Sequence, residues 1–251
     1  MKAIFITVRN GSTRLPDKAL KIIQGIPTIE YIIRRMKYSK LAEKIVLCTT
    51  ENKQDDSLVE IALRNNIDFF RGSEEDKLER WHGAAQKFNI EFFCTADGDD
   101  LFCDPVLIDY AFEQYLRNNS VFIESKKVIT GAFTYGIKVS ALKKVCEIKD
   151  SDQTEMMWVY FTESGLFKCE ELENIPEKYV RSDIRMTLDY QEDYDFFNTI
   201  IEKSNKKCDY LALDEIVNII NAYPEIKDIN FFRQQQWADN QKMKTVLKLK
   251  K

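Results

Sequence analysis

Two kinds of apolar pattern alternate along the first half of the chain: short continuous runs, and longer stretches with apolar residues every three or four positions. Residues 2–8 (KAIFITV) form a continuous run, as a strand buried on both faces requires. Residues 27–41 (PTIEYIIRRMKYSKL) show helical spacing with a basic outer face. The alternation then repeats. Strands are predicted at 44–50 (KIVLCTT), 67–72 (IDFFRG) and 90–96 (IEFFCTA), and helices at 57–66, 74–88 and 105–118. Pro105 opens the last of these, at a position where its missing N–H costs nothing. Strand and helix in strict turn predict an α/β fold: a mostly parallel central sheet with helices on both faces.

The second half is less regular. Residues 127–142 read as a strand or hairpin leading into a helix, 164–173 and 183–190 as strands, and 192–204 as a helix. The end, 230–251, is helical in pattern and basic in its last residues. No low-complexity linker or internal repeat divides the chain, so residues 1–251 are expected to form one domain with a helical tail from about 230.

Composition narrows the function classes. A formal charge of -4 argues against broad nucleic-acid or anionic-membrane binding, while leaving room for a small anionic ligand held by a few focused cations. No apolar stretch reaches the roughly 20 residues of a membrane span, and the first residues lack a signal-peptide layout. The cysteines (Cys48, Cys94, Cys103, Cys146, Cys169, Cys208) are scattered without metal-ligand spacing and read as reduced thiols of a cytoplasmic protein. With His82 as the single histidine, beside Trp81 as a packed helix residue, multi-histidine metal sites are excluded and Ser-His-Asp chemistry is nearly so. Chemistry must come from carboxylates, Arg, Lys, hydroxyls, backbone or a bound metal.

Such groups concentrate in three places. The loop after the first strand, 9–20, holds Arg9, Asn10, Gly11, Ser12, Arg14 and Lys18. Loops beyond the carboxyl ends of parallel strands line the ligand crevice of open α/β sheets. Gly11 permits close backbone approach, and Arg14 and Lys18 bring the positive charge a triphosphate needs; a solvated basic turn is the competing reading. The segment 96–105 (ADGDDLFCDP) packs Asp97, Asp99, Asp100 and Asp104 at a strand end. Carboxylates this close repel unless a cation compensates, and Mg²⁺ is held by one or two carboxylates together with substrate phosphates. Asp104 is read as a helix cap before Pro105, and Asp99 as the metal candidate. The third place is Asp189, at the end of the strand-like 183–190, where helix capping competes with a metal role. Ser73, in RGSEED, is read as a helix cap and also held as a nucleotide-binding candidate.

RNGSTRLPDKAL (9–20) resembles the opening signature of bacterial cytidylyltransferases, the superfamily of CMP-sialate and CMP-Kdo synthetases, and more closely its spore-coat polysaccharide synthesis branch. The similarity continues through 22–50, FRGSEEDKLERW (70–81), GDDLFCDP (98–105) and RMTLDYQEDYDF (185–196), in the family's order. The resemblance implies a Rossmann-like nucleotidyltransferase fold, with the loop from Arg9 to Lys18 around the triphosphate and Arg14 and Lys18 on phosphate charge. It implies that Asp99 and Asp189 jointly hold a catalytic Mg²⁺ (or Mn²⁺). The family chemistry is attack by an acceptor hydroxyl on the α-phosphorus of CTP with release of pyrophosphate, for surface glycan synthesis. Asp97 is the candidate base. The acceptor is expected to be a small sugar-type acid such as a 3-deoxy-2-ulosonic acid, selected by the poorly matching segment 121–171; a homodimer is the candidate assembly. Three other readings stand beside this one, the least favoured being a non-catalytic nucleotide-binding subunit. A sugar-1-phosphate nucleotidyltransferase would want a more Gly-rich first loop, and a metal-dependent glycosyltransferase would use Asp97-Gly98-Asp99 as a DxD motif.

Overall fold

β1 (Lys2–Thr7) shows why the chain folds around its first strand. Ala3 and Phe5 point into one core cluster and Ile4 and Ile6 into another, all fully buried, so the strand has no solvent face. In the computed structural model, which describes residues 1–204 and 210–250, β1 is followed by a small hairpin, β2 (Ile22–Ile23) and β3 (Ile26–Pro27). Next come α1 (Thr28–Met36), β4 (Lys44–Thr50), α2 (Asp56–Arg64), β5 (Asp68–Gly72), α3 (Lys77–Lys87), β6 (Phe92–Asp97) and α4 (Pro105–Asn118). The predicted alternation is therefore present, element by element. The remainder is β7 (Phe122–Glu124), β8 (Tyr135–Lys138), α5 (Val139–Ile148), α6 (Val159–Thr162), β9 (Cys169–Glu171), α7 (Gln191–Lys203), α8 (Leu213–Ala222) and α9 (Gln234–Lys244).

The sheet runs β5-β4-β1-β6-β8-β7-β9. β5, β4, β1 and β6 are parallel, β8 is antiparallel to both of its neighbours, and β9 runs with β7. A mostly parallel α/β sheet with helices on both faces is thus what the sequence folds into. α1, α2, α4, α7 and α8 pack on the face of Ile4 and Ile6; α3 and α5 pack on the face of Ala3 and Phe5. Among the described residues no helix is long and apolar enough to cross a membrane. Cys48, Cys94, Cys103, Cys146 and Cys169 are free thiols; Cys208 lies outside the described residues.

Three expectations need correcting. Residues 183–190 do not form a strand: a single bridge, Thr130 to Arg185, is their only sheet-type pairing among the described residues. The outer face of α1 is not uniformly basic. Arg34 is half-exposed, but Arg35 is buried and donates to the carbonyls of Cys103 (3.0 Å), Phe102 (3.2 Å) and Leu211. The tail is helical only to Lys244. Beyond it the chain turns back, with Asp150 N–H on the Lys248 carbonyl (2.9 Å) and Leu247 and Leu249 against the core.

Candidate active site

The chain leaves β1 to build β4 and β5 on one side, then crosses to place β6 on the other. The loops after β1 and β6 therefore diverge at a topological switch point, where open α/β sheets form their ligand crevice. Local chemistry fixes the first loop. Asn10 donates its backbone N–H to Asp55 (2.7 Å) and its side-chain amide to the Gln54 carbonyl (2.7 Å). Gly11 adopts φ +99°, a left-handed conformation that glycine reaches without steric cost. Ser12 Oγ accepts from Leu15 N–H (3.3 Å), tightening the turn that presents Arg14. Asn10 and Ser12 thus shape the loop, while Arg9 stands at its rim, paired with Glu74 (3.2 Å) and Glu155 (3.6 Å).

The loop delivers its cations onto two carboxylates brought from distant parts of the sequence. Lys18 Nζ lies 2.8 Å from Asp99 Oδ2 and 2.9 Å from Asp189 Oδ1, and Arg14 Nη2 lies 2.6 Å from the same Asp189 oxygen. The four residues separated by the sequence analysis therefore meet. Burial opposes the Lys18 charge, but Asp99 and Asp189 outweigh it and its pKa rises. Burial likewise opposes the charge of Asp189, which is 1% exposed; Lys18 and Arg14 outweigh that and hold it down at about 2. Two buried polar atoms of the cluster have no hydrogen-bond partner among the described residues: Asp189 Oδ2 and Arg14 Nε. Buried polar atoms are normally satisfied, so these two mark where a ligand would complete the site.

Asp189 is held by its surroundings rather than by a strand. Met186 N–H donates to the Thr130 carbonyl (2.9 Å) and Leu188 N–H to the Asp99 carbonyl (2.8 Å), tying the two acidic segments together. The backbone N–H groups of Asp189 and Tyr190 both donate to Asp193 Oδ2 (2.8 and 3.0 Å) at the start of α7. Asp193 is fully buried and takes a two-pronged interaction from buried Arg185, Nε to Oδ1 (2.9 Å) and Nη2 to Oδ2 (3.1 Å). α9 closes over this layer: Trp237 lies 5.2 Å from the Arg185 guanidinium, and Asn240 donates to the Tyr190 hydroxyl (3.1 Å). The tail is thus a support of the site. On the other segment, Asp104 caps α4 as expected, accepting from Val106 and Leu107 N–H (3.0 and 3.2 Å).

Asp97 sits at the crevice wall, paired with Lys77 Nζ at 3.0 Å. Burial raises its pKa, Lys77 opposes the rise and Asp99 adds to it. Asp100, buried, is pushed well above the usual carboxylate range by burial and by Asp99 and Asp97. Ser73 does not cap α3; that role falls to Asp76, which accepts from Glu79 N–H (3.1 Å), while Ser73 Oγ accepts from Asp76 N–H (3.1 Å) one turn earlier. Sequence reasoning missed Lys77, Arg185 and Asp193. Lys77 had a signal, because a lysine in the first turn of a helix opposes the helix dipole and asks for another reason to be there. Asp193 had one too, as the acid four residues after Asp189 in a helix's first turn.

Residues 3–238 match the model of a family described as cytidylyltransferase. An uncharacterised protein of Methanocaldococcus jannaschii is 32% identical, over 92% of this chain and 95% of its own length. The spore coat polysaccharide biosynthesis protein SpsF of Bacillus subtilis is 24% identical over 88% of this chain and 94% of its own. A 3-deoxy-manno-octulosonate cytidylyltransferase of Geobacter sulfurreducens is 27% identical over 46% of each. Among solved structures, a cytidylyltransferase from Leptospira borgpetersenii superposes with a TM-score of 0.81 at 27% identity, covering 90% of this chain and 95% of that one. With the family model spanning nearly its whole length, this chain belongs to the cytidylyltransferases and is a nucleotidyltransferase.

Proposed function

We propose that this chain transfers CMP from CTP to a hydroxyl of a small sugar-type acid, releasing pyrophosphate, in the synthesis of a surface glycan. One observation supports this above the others: Lys18 and Arg14 neutralise Asp99 and Asp189 at the switch point. When a triphosphate arrives, the two cations have a better partner in its phosphates, and the carboxylates are released for a hard divalent ion. Asp99 and Asp189 are hard oxygen donors that would hold a Mg²⁺ (or Mn²⁺) there, Asp189 Oδ2 accepting no hydrogen bond and facing only Arg185 Nη2 at 3.8 Å. Such an ion supplies neutralisation of charge on the phosphates. In the reaction the acceptor oxygen forms a bond to the α-phosphorus as the bond to the bridging oxygen of pyrophosphate breaks. The acceptor proton passes to Asp97, whose raised pKa makes it a better base than an ordinary carboxylate. Lys18 and Arg14 hold the charge that develops on the leaving group, and Arg9 and the backbone around Gly11 and Ser12 line the approach. Ser73, whose hydroxyl sits in the turn before α3, is a further nucleotide contact of this reading. The free thiols fit work in the reducing cytoplasm.

The test is pyrophosphate release with CTP, UTP, GTP, ATP and dTTP, each with Mg²⁺, against a panel of 2-ulosonic acids and sugar 1-phosphates. CTP-selective release that requires an acid is expected. Release driven by UTP or dTTP with a sugar 1-phosphate would replace this reading with the sugar-1-phosphate one. Glycosyl transfer from a nucleotide sugar, with no pyrophosphate from any triphosphate, would point to the DxD reading instead.

A further inference from the structure

α3 and α5 lie together on the face of the sheet that packs against Ala3 and Phe5. Glu79 and His82 are three residues apart on α3, which puts both side chains on one helix face. Cys146 of α5 meets them there: a carboxylate oxygen, a ring nitrogen and Sγ all lie within 4.8 Å of one another. We propose that Glu79, His82 and Cys146 form a site for a soft divalent cation of the Zn²⁺ class, separate from the nucleotide crevice.

The donor chemistry selects the ion. Thiolate and imidazole favour zinc over magnesium, and a Cys-His-Glu set leaves one of four tetrahedral positions for water. Bonds of about 2.0–2.3 Å bring tetrahedral ligand atoms to roughly 3.5 Å from one another, so closing the site asks for a side-chain adjustment of about 1 Å. Glu79 is exposed and free to make it. Among the described residues no Lys or Arg forms an ion pair with Glu79. The ammonium of Lys149 is committed to Asp76, Asp152 (3.1 Å) and the Ser151 carbonyl (3.2 Å), and Arg80 to the carbonyls of Ser73 and Glu74 (3.4 Å). Burial and the adjacent Glu79 and Asp76 push the Cys146 thiol up to about 12, with Lys149 opposing. A bound cation reverses that preference by taking the thiolate. Bound metal would cross-link α3, the helix that carries Lys77, to α5.

The full-length protein, stripped with chelator, is titrated with Co²⁺ and followed by its thiolate-to-metal charge-transfer absorption, with thermal unfolding in parallel. The proposal expects a band that saturates at one equivalent, is displaced by Zn²⁺ and survives excess Mg²⁺. Zn²⁺ raises the unfolding midpoint. Cys146→Ser abolishes the band and the shift, and His82→Ala weakens binding by at least about 100-fold, beyond what loss of an outer partner costs. Both variants are required to melt like the metal-free parent; should Cys146→Ser fail to fold, His82→Ala decides. No band in the parent overturns the proposal, and so does one that persists in Cys146→Ser, because another cysteine then supplies the sulfur. Asp99 and Asp189 contain no sulfur, so this signal is independent of the nucleotidyltransferase reading.

Discussion

At the scale of single residues, Lys18 has the most exacting position in the molecule. One ammonium serves two carboxylates that come from segments 90 residues apart, Asp99 and Asp189. Lys18→Ala removes the shared cation and leaves Asp189 with Arg14 at 2.6 Å and the more distant Arg185 at 3.8 Å. We expect kcat/KM for CTP to fall at least about 100-fold, equivalent to about 2.7 kcal/mol of transition-state stabilisation, measured by pyrophosphate release. Asp99→Asn keeps the shape and the contact with Lys18 but removes a charge; turnover is expected to vanish while the thermal midpoint stays near the parent's. The same substitution of Lys18 has a signature in acid that does not depend on activity. Asp189 has its pKa depressed to about 2, so its ionised form stabilises the fold fully above the unfolded carboxylate value of about 3.9. That stabilisation, on the order of 2 kcal/mol, is lost as pH falls from there toward about 2. With Lys18 gone the folded pKa of Asp189 moves upward. Acid unfolding followed by circular dichroism should then begin at higher pH in Lys18→Ala than in the parent; coincident curves would remove Lys18 from the control of Asp189.

At the scale of elements, the segment around Asp189 depends on borrowed supports. Asp193 and Arg185 are both fully buried and bonded through two contacts. Removing one partner of such a pair strands a buried charge, so Asp193→Ala should cost about 3–5 kcal/mol, read by urea unfolding, with Asp193→Asn costing less. Gly131 tests the other side of the same support. It sits at φ +86°, and a Cβ there would lie 2.1 Å from the Met186 carbonyl oxygen. Gly131→Ala is expected to destabilise by at least about 2 kcal/mol through strain and to lower kcat more than KM, because it displaces residues 186–189 relative to Asp99. These supports also explain what the sequence showed and what it hid. Strands β1, β4 and β6 were legible because both of their faces are largely buried and apolar periodicity reports burial directly, and β5, half-buried at the sheet edge, by its short apolar run. Residues 183–190 look like a strand for the same reason, their apolar side chains being buried, yet their backbone bonds go to a loop carbonyl, to Asp99 and to Asp193. Periodicity does not distinguish ladder bonds from these. Arg35 was hidden differently: composition places arginine outside, and the carbonyls of Phe102, Cys103 and Leu211, with the Asp104 carboxylate at 3.6 Å, account for its burial. Arg14, Lys18 and Asp99 could be named because loops at strand ends define the crevice, and Asp189 through the family resemblance, whereas their mutual pairing is a tertiary fact.

At the scale of the whole molecule, the crevice joins parts from both ends of the chain. The β1 loop supplies Arg14 and Lys18, the β6 loop Asp97 and Asp99, and the segment before α7 Asp189, with α9 packed over Arg185 and Tyr190. A ligand that bridges these parts ties together elements that unfolding separates, so binding should appear as global stability. At a concentration of about one hundred times its dissociation constant, a ligand specific to the native state adds roughly 2.7 kcal/mol. We expect CTP with Mg²⁺ to raise the thermal midpoint, and CTP without metal to raise it less, because the triphosphate then brings negative charge to Asp99 and Asp189 uncompensated. The Asp99→Asn variant separates these contributions. It should retain part of the stabilisation by CTP, through Arg14 and the β1 loop, and lose the increment that Mg²⁺ adds. If Mg²⁺ adds the same increment to Asp99→Asn as to the parent, the ion is not held by Asp99 and the proposed metal ligands are wrong, even though the nucleotide site stands. Equal stabilisation by all five triphosphates would locate the selection for cytidine outside the triphosphate-binding cluster, where the phosphates and not the base set affinity.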